Sequence, residues 1–191
     1  MNSHSRGIRF GIFSFVFPAM MLLANGCTAQ DRGLGFVFEG DLEYGGDRVA
    51  TVSYEDGSTQ DVRAGQGLSL AVGAHYRGDS PFSIRGTVGY KYVTTAASNA
   101  DINLSRVVFE VLGNYAWENG WWVGAGVTHH TNIHFKGDGF GPNIDFDDST
   151  GPTFELGWRW IALSYTKLDY TSEFGGTVDA SSLGLTLVSK F

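Results

Sequence analysis

Residues 106–127 read RVVFEVLGNYAWENGWWVGAGV, and this stretch decides the fold. Apolar residues recur at the odd positions from Val107 to Tyr115, while Glu110 and other polar residues occupy even positions. A period of two is that of a β-strand with one apolar face. The short segment Glu118–Gly120 then interrupts the pattern, and alternation resumes at once. We therefore predict two antiparallel strands joined by a tight turn.

The same alternation continues through the rest of the chain after residue 30. It predicts an all-β protein with eight strands near residues 34–44, 67–76, 84–92, 106–117, 121–134, 154–160, 161–166 and 182–191. The boundary between the sixth and seventh strands lacks a Gly or Pro, but the apolar positions change there from even to odd. A change of parity within one strand would turn its apolar set to the wrong face, so a tight turn is expected near residues 159–161.

The predicted connections alternate between short and long. Short turns are expected at residues 78–81, 118–120 and 159–161, and longer loops near 45–64, 96–101, 136–150 and 172–177. Within the first long loop, Asp56-Gly57 between β-rich flanks predicts a protruding hairpin. An even number of strands with short turns at one end and long loops at the other is typical of a transmembrane up-and-down β-barrel.

Composition excludes several other classes of protein. The 191 residues are 42% hydrophobic and 14% aromatic, which argues against disorder, and 27 of them are Gly. Charged residues make up 17%, below the usual share, and the net charge of −7 opposes a nucleic-acid partner. No Cys-based zinc site or phosphate-binding Gly loop is present, so no cofactor is predicted.

Residues 1–29 are predicted to be a signal peptide, with the barrel domain spanning residues 30–191. Arg6 and Arg9 precede a short apolar run, and Cys27 and Ala29 occupy the −3 and −1 positions of a cleavage site. An N-terminal membrane anchor and lipidation of Cys27 are the alternatives. Removal of residues 1–29 takes away two of the 13 basic residues and none of the 20 acidic ones, which leaves 11 against 20.

All five tryptophans flank predicted short turns. In an eight-stranded barrel this places them at one level, which predicts an aromatic girdle at a membrane–water interface. A soluble barrel core would scatter its tryptophans along the strands. The predicted girdle consists of Trp117, Trp121, Trp122, Trp158 and Trp160.

The opposite strand face collects charged residues together with Gly, Ser and Thr. These charges are predicted to form a mutually neutralised network in a narrow lumen: Glu39, Asp41, Glu43, Arg85, Lys91, Arg106, Glu110, Glu155 and Arg159. A lipocalin, which is also an eight-stranded barrel, has an apolar calyx instead. Arg106 and Glu110 lie four residues apart on the same face of one strand, and so do Glu155 and Arg159. Ion pairs between such charges on different strands would plug the lumen, and a narrow channel is the alternative.

The C-terminal segment ends in Phe191 after Leu183, Leu185 and Leu187 at alternate positions. This pattern resembles the C-terminal assembly signal of bacterial outer-membrane proteins, although Ser189 departs from it. With the predicted signal peptide and eight strands, the chain resembles the small OmpA-like and OmpX-like outer-membrane barrels. The resemblance covers residues 30–191 and implies an outer-membrane location and contact with the barrel-assembly machinery. It implies no particular activity.

A second, more local resemblance concerns His129-His130-Thr131-Asn132. It is similar to the His-x-Ser-Asn motif of outer-membrane lipid A 3-O-deacylases, and implies His129 as base, Thr131 as nucleophile and Asn132 as oxyanion donor. Thr replaces Ser, and the family's motif lies nearer its C-terminus. Parity predicts that His129 and Thr131 face outward while His130, Asn132 and His134 face the lumen.

Two metal sites are weighed and not favoured. His130 and His134 would share a strand face about 13 Å apart, too far for one ion unless the strand bulges. A Ca²⁺ site would use the acidic loop residues Asp138, Asp145, Asp147 and Asp148, but their spacing does not match an EF-hand. Polar lining at the mouth and a solvated loop are the preferred interpretations.

The sequence therefore predicts a non-enzymatic outer-membrane barrel with a structural or surface-interaction role. Outer-membrane lipid and lipopolysaccharide are its expected surroundings, and the long loops are its expected contact surface. A lipid A acyl hydrolase using His129 and Thr131, and a narrow channel, remain the alternatives.

Overall fold

The computed structural model describes residues 32–53, 59–94, 102–138 and 142–191, all of them in strands, turns or irregular segments. The predicted signal peptide and the Asp56-Gly57 turn lie outside these ranges. The strands are β1 (Gly33–Tyr44), β2 (Arg48–Ser53), β3 (Thr59–Arg63), β4 (Gly67–Arg77), β5 (Phe82–Thr94), β6 (Asn103–Ala116), β7 (Trp121–Lys136), β8 (Ile144–Phe146), β9 (Ser149–Trp158), β10 (Ile161–Thr166), β11 (Asp169–Thr171), β12 (Thr177–Asp179) and β13 (Ser182–Lys190).

Eight long strands close into one antiparallel barrel. Their order is β6-β5-β4-β1-β13-β10-β9-β7, and β6 pairs with β7 to complete the ring. The closure is extensive, since β6 and β7 are paired from Ala116↔Trp122 to Asn103↔Lys136. The predicted fold class, an eight-stranded antiparallel barrel, is confirmed.

The predicted alternation of connections is also confirmed. One end of the barrel carries the turns at 78–81, 117–120 and 159–160. In the third turn Trp158 pairs directly with Ile161, and Arg159 adopts a φ of 55°, as a two-residue hairpin loop favours. The long connections lie at the other end, where β2 and β3 form the predicted hairpin. We call these the short-turn end and the loop end.

The barrel exterior is apolar around its circumference. Its exposed large side chains include Phe36 on β1, Ile84 on β5, Val111 on β6 and Leu163 on β10, each between 53% and 76% exposed. A soluble protein rarely exposes a continuous apolar surface of this extent, whereas a transmembrane barrel requires one. No helix in the described part of the chain is long and apolar enough to cross a membrane.

Four of the five tryptophans of the predicted girdle point outward, and the prediction is wrong at Trp122. Trp117, Trp121, Trp158 and Trp160 are 40–45% exposed at the short-turn end, but Trp122 is 5% exposed. Adjacent residues of a strand point to opposite faces, so Trp121 and Trp122 cannot both face outward. The Trp122 ring lies inside the barrel, where its Nε1 donates to the backbone oxygen of Arg159 at 3.2 Å.

The lumen is filled in three layers. Near the short-turn end, Trp122 packs with Val37, Ala162 and Val188. Charged and hydroxyl side chains occupy the middle. Towards the loop end lies a larger apolar cluster that combines strand and loop residues: Val62, Ala64, Val93, Ile102, Leu104, Ile133, Phe135, Leu168, Tyr170 and Ala180. Apolar layers therefore lie on both sides of the charged layer.

Candidate functional site

The charged layer of the lumen is centred on Arg85 of β5. Its guanidinium lies 2.5 Å from Glu39 of β1, 2.7 Å from Glu155 of β9 and 3.3 Å from Glu110 of β6. Arg85, Glu39 and Glu155 side chains are each no more than 4% exposed. Four strands of the ring thus contribute to one ion cluster, which joins opposite walls of the barrel across the lumen.

A second group of charges lies nearer the loop end. Lys91 binds Glu43 at 2.7 Å, and Glu43 also accepts a hydrogen bond from Ser182. Arg106 sits directly opposite Lys91 in the β5–β6 register. Its only hydrogen bond among the described residues goes to the backbone oxygen of Gln66 at 2.7 Å.

Arg106 is therefore a buried cation that forms no ion pair with a carboxylate of the described residues. The residue is 0% exposed, and its Nε and Nη1 atoms have no hydrogen-bond partner in the described structure. Glu110, four residues further along β6, lies 3.3 Å from Arg85 and accepts a hydrogen bond from Thr128, both on neighbouring strands. Residues four apart in a strand lie about 13 Å apart, so lumen charges pair between strands.

Arg159 does not belong to the lumen, so its predicted place in the charge network is wrong. Arg159 lies exposed in the β9–β10 turn, with its guanidinium 4.6 Å from the centre of the Trp158 ring. The fourth lumen cation is Lys190, whose Nζ lies 5.7 Å from the Trp122 ring centre. Its even position in the last strand was the available signal, since Ser182 and Thr186 share that inward parity.

A small polar cavity remains in the middle layer. The space open to the centre of a water molecule is about 30 Å³, enough for one or two waters. Five carboxylates line it, from Glu39, Asp41, Glu43, Glu110 and Glu155, along with Ser and Thr hydroxyls and His130. Asp41 accepts a hydrogen bond from Ser69 at 2.8 Å. The arrangement suits a few bound waters rather than a through-going aqueous path.

A β-bulge reverses the predicted orientations at the loop end of β7. Ser105 of β6 pairs with His134, and Val107 pairs with Thr131. Between these two pairs, two β7 residues oppose one β6 residue, which is a β-bulge. Asn132 takes a φ of 51° at this point and is exposed. The prediction that Asn132 and His134 face the lumen is wrong, because the extra residue shifts the parity by one.

The histidines consequently point in different directions. His130 is buried and its Nδ1 lies 2.5 Å from the Tyr170 hydroxyl. His134 is outside and pairs with Asp145 at 2.5 Å. A bulge was the one feature that would bring His130 and His134 together, yet this bulge places them on opposite faces.

The proposed base–nucleophile pair does not form. His129 Nδ1 lies 2.8 Å from the Thr150 hydroxyl, and its Nε2 lies 3.8 Å from Asp148. Both ring nitrogens therefore face residues other than Thr131. Asn132 lies at the bulge, which alters the strand geometry on which the motif comparison depended.

The acidic loop does not gather into a cation site. Asp145 is engaged by His134, Asp148 faces His129, and Asp138 lies 3.7 Å from Lys136. Among the described residues, no group of three or more His, Cys, Asp or Glu side chains is arranged to hold a metal ion. The Asp147 backbone amide donates to the backbone oxygen of Thr171, which ties the loop to β11.

The last strand joins the two ends of the chain. Leu183, Leu185 and Leu187 lie on β13, with Leu183 and Leu185 66% and 40% exposed. Phe191 exchanges two backbone hydrogen bonds with Phe36 of β1. The residues of the predicted assembly signal therefore lie on β13 or directly after it, next to β1.

No family model and no curated protein matches the chain. Among solved structures, it is similar to the solid-state NMR structure of outer membrane protein AlkL in DMPC lipid bilayers. The identity is 16% and the TM-score 0.45, with 87% of this chain and 94% of that chain covered. The closed ring, the apolar exterior and the charged lumen are by themselves the architecture of a small outer-membrane β-barrel.

Proposed function

We propose that this chain is a non-enzymatic barrel of the bacterial outer membrane, with a sealed lumen and a structural or surface-interaction role. In this proposal the signal peptide directs export, the barrel-assembly machinery inserts the strands, and the loop end faces the cell exterior. Lipid and lipopolysaccharide then surround the apolar belt. The proposal makes the loop end the contact surface for a partner.

The sealed lumen supports this role most directly. Arg85 and its three carboxylates cross the barrel, Trp122 fills the lumen below them, and the apolar cluster around Leu104 and Tyr170 fills it above. An eight-stranded ring is just wide enough for side chains to fill. A conducting pore would need several of these layers to move together.

The loop end supports the proposed role as a contact surface, because it carries additional β-structure held by hydrogen bonds. The β2–β3 hairpin and the β11–β12 pair add two small sheets beyond the barrel. The hairpin is tied to the opposite loop, since Asp47 donates a backbone hydrogen bond to Asp179 at 2.7 Å. Hydrogen bonding to Ser181 lowers the pKa of Asp179, which keeps this carboxylate charged.

Two measurements test the proposal. Outer-membrane fractions of cells that express the protein are first run unboiled and boiled on a gel, where the protein is expected as a heat-modifiable band. The refolded protein is then inserted into a planar lipid bilayer, where no stepwise conductance is expected. Reproducible single-channel steps from the wild-type protein would favour the channel alternative. Absence of a heat-modifiable band from the outer membrane would contradict the location.

A further inference from the structure

A pair of arginines lies at the base of the β2–β3 hairpin, at the loop end of the apolar belt. Arg48 and Arg63 are directly opposite each other in the hairpin register. Directly opposed residues of antiparallel strands bring their Cβ atoms to about 5 Å, and like charges in that position repel. Asp61 lies 3.1 Å from Arg48 and offsets one of the two charges.

Arg63 has no carboxylate partner in the described part of the chain. Its Nη1 donates to the backbone oxygen of Gly46 at 3.0 Å, and its Nε has no hydrogen-bond partner. The guanidinium carbon lies 5.4 Å from the centre of the Tyr44 ring. This stacking holds the cation against an exposed aromatic side chain. The unpartnered Nε is itself buried, so an anion has to approach the outer Nη atoms.

Tyr44 connects this cation to the lipid-facing surface. It is 62% exposed at the loop end of β1 and pairs with Leu183, which is 66% exposed. One step further along the belt, Leu42 pairs with Leu68, and they are 57% and 45% exposed. Tyr prefers the interface between hydrocarbon and head groups, which places Arg63 and Arg48 at head-group level.

We propose that Arg63 and Arg48 bind the phosphate of an outer-leaflet lipid whose acyl chain lies against Leu42, Leu68 and Leu183. This inference rests on the proposed membrane location. Guanidinium groups bind phosphate through paired, charge-assisted hydrogen bonds, and the apolar belt directly below accepts the chain. An anion between the two arginines also relieves their mutual repulsion. The chain as a whole carries a net charge of −7, but Arg48 and Arg63 outnumber the single nearby Asp61 at this position, so the local charge favours a phosphorylated lipid over a basic partner.

The test is native mass spectrometry of the intact barrel released from detergent micelles, with dimyristoyl phosphatidic acid as the probe. Dimyristoylglycerol has the same chains without phosphate, and inorganic phosphate has no chains. The wild-type protein is expected to retain phosphatidic acid in preference to both. Loss of a charge-assisted hydrogen bond costs about 1.5–3 kcal/mol, so Arg63→Gln is expected to weaken retention about tenfold or more. Arg48→Gln is expected to weaken it in the same direction.

Arg159→Gln is the matched control. Arg159 also stacks on an exposed aromatic ring of the belt, that of Trp158, but it lies at the short-turn end and is not opposed by a second arginine. Its replacement is expected to change retention less than twofold. Equal losses in Arg63→Gln and Arg159→Gln would mean non-specific attraction and would overturn the inference. So would equal retention of dimyristoylglycerol, or inorganic phosphate binding as tightly as the lipid.

Insertion into vesicles distinguishes a failure of the proposed membrane location from a failure of the lipid site alone. If the wild-type protein does not enter vesicles or show a heat-modifiable band, the membrane location and the lipid site both fail. If it inserts but retains phosphatidic acid no better than Arg63→Gln does, the lipid site alone fails.

Discussion

Replacing Arg85 by Met should destabilise the barrel strongly. The guanidinium lies 2.5, 2.7 and 3.3 Å from the carboxylates of Glu39, Glu155 and Glu110, and its side chain is 1% exposed. Removing one partner of a buried ion pair costs about 3–5 kcal/mol, because the other charge stays buried without compensation. Here three carboxylates lose their common cation, so we expect a loss of at least about 3 kcal/mol. Met fills much of the volume, which keeps packing losses small.

Urea unfolding in lipid vesicles, followed by tryptophan fluorescence, measures this loss. With an m-value of about 1–3 kcal/mol/M, the midpoint for Arg85→Met is expected to fall by roughly 1–3 M at neutral pH. The difference from wild type should shrink as the pH is lowered. Protonation neutralises the three carboxylates, and without Arg85 this removes their repulsion and part of their desolvation cost.

Arg106→Met is the matched control, because Arg106 is equally buried but, among the described residues, hydrogen-bonds only to the Gln66 backbone oxygen. Its replacement is expected to change the free energy of unfolding by less than about 1 kcal/mol or to stabilise the barrel, since the buried charge that is lost forms no ion pair with a described carboxylate. A loss below about 1 kcal/mol for Arg85→Met, or equal losses in the two variants, would refute the view that the Arg85 cluster holds the lumen together.

Three further predictions follow from the lumen and belt. Gly157→Ala should destabilise the barrel and shift tryptophan emission, because a Cβ there would lie 2.1 Å from the Trp122 ring; Gly113→Ala, with its nearest contact at 3.8 Å, should be nearly neutral in the same urea titration. Brominated lipids should quench single-tryptophan proteins that keep one of the four outward tryptophans, but not the one that keeps Trp122; strong quenching there would contradict its inward position. His129→Ala with Thr131→Ala should leave the lipid A acyl pattern unchanged by mass spectrometry of overexpressing cells, whereas restoration of an acyl chain lost in the presence of the wild-type protein would revive the hydrolase alternative.

The strand count and turn positions could be predicted because local chemistry determines them. Each barrel strand has an apolar residue at every second position. A shift of one residue would turn all of them from the lipid to the polar lumen. The parity change between Trp160 and Ile161 located a turn that no Gly or Pro marked, and the structure has Trp158 paired with Ile161 there.

The site predictions that are wrong lie at positions where the alternation of inward and outward side chains is interrupted. At Asn132 one extra residue reverses the faces of everything beyond it, and no period-two rule anticipates a bulge. At Arg159 the strand ends one residue before the charge, so an inward parity becomes a turn position. Trp122 was placed in the outward girdle because it lies next to a turn. Its even position in the strand, which the sequence shows, indicates an inward side chain.

The pattern of residues along the chain by itself determined an all-β barrel with an apolar belt, a charged inner face and tight turns at one end. These features follow from the two-residue repeat of a β-strand. They also follow from the different surroundings of its two faces, lipid outside and the polar lumen inside. Only the tertiary structure decided which charges meet. Strand tilt and register bring Arg85 to carboxylates on three other strands, while Arg106 is left with a backbone oxygen. The reason is geometric: Arg106 and Glu110, four residues apart on one strand, are separated by about 13 Å, so each ion pair among the described lumen residues is a contact between strands, set by ring closure and not by sequence spacing.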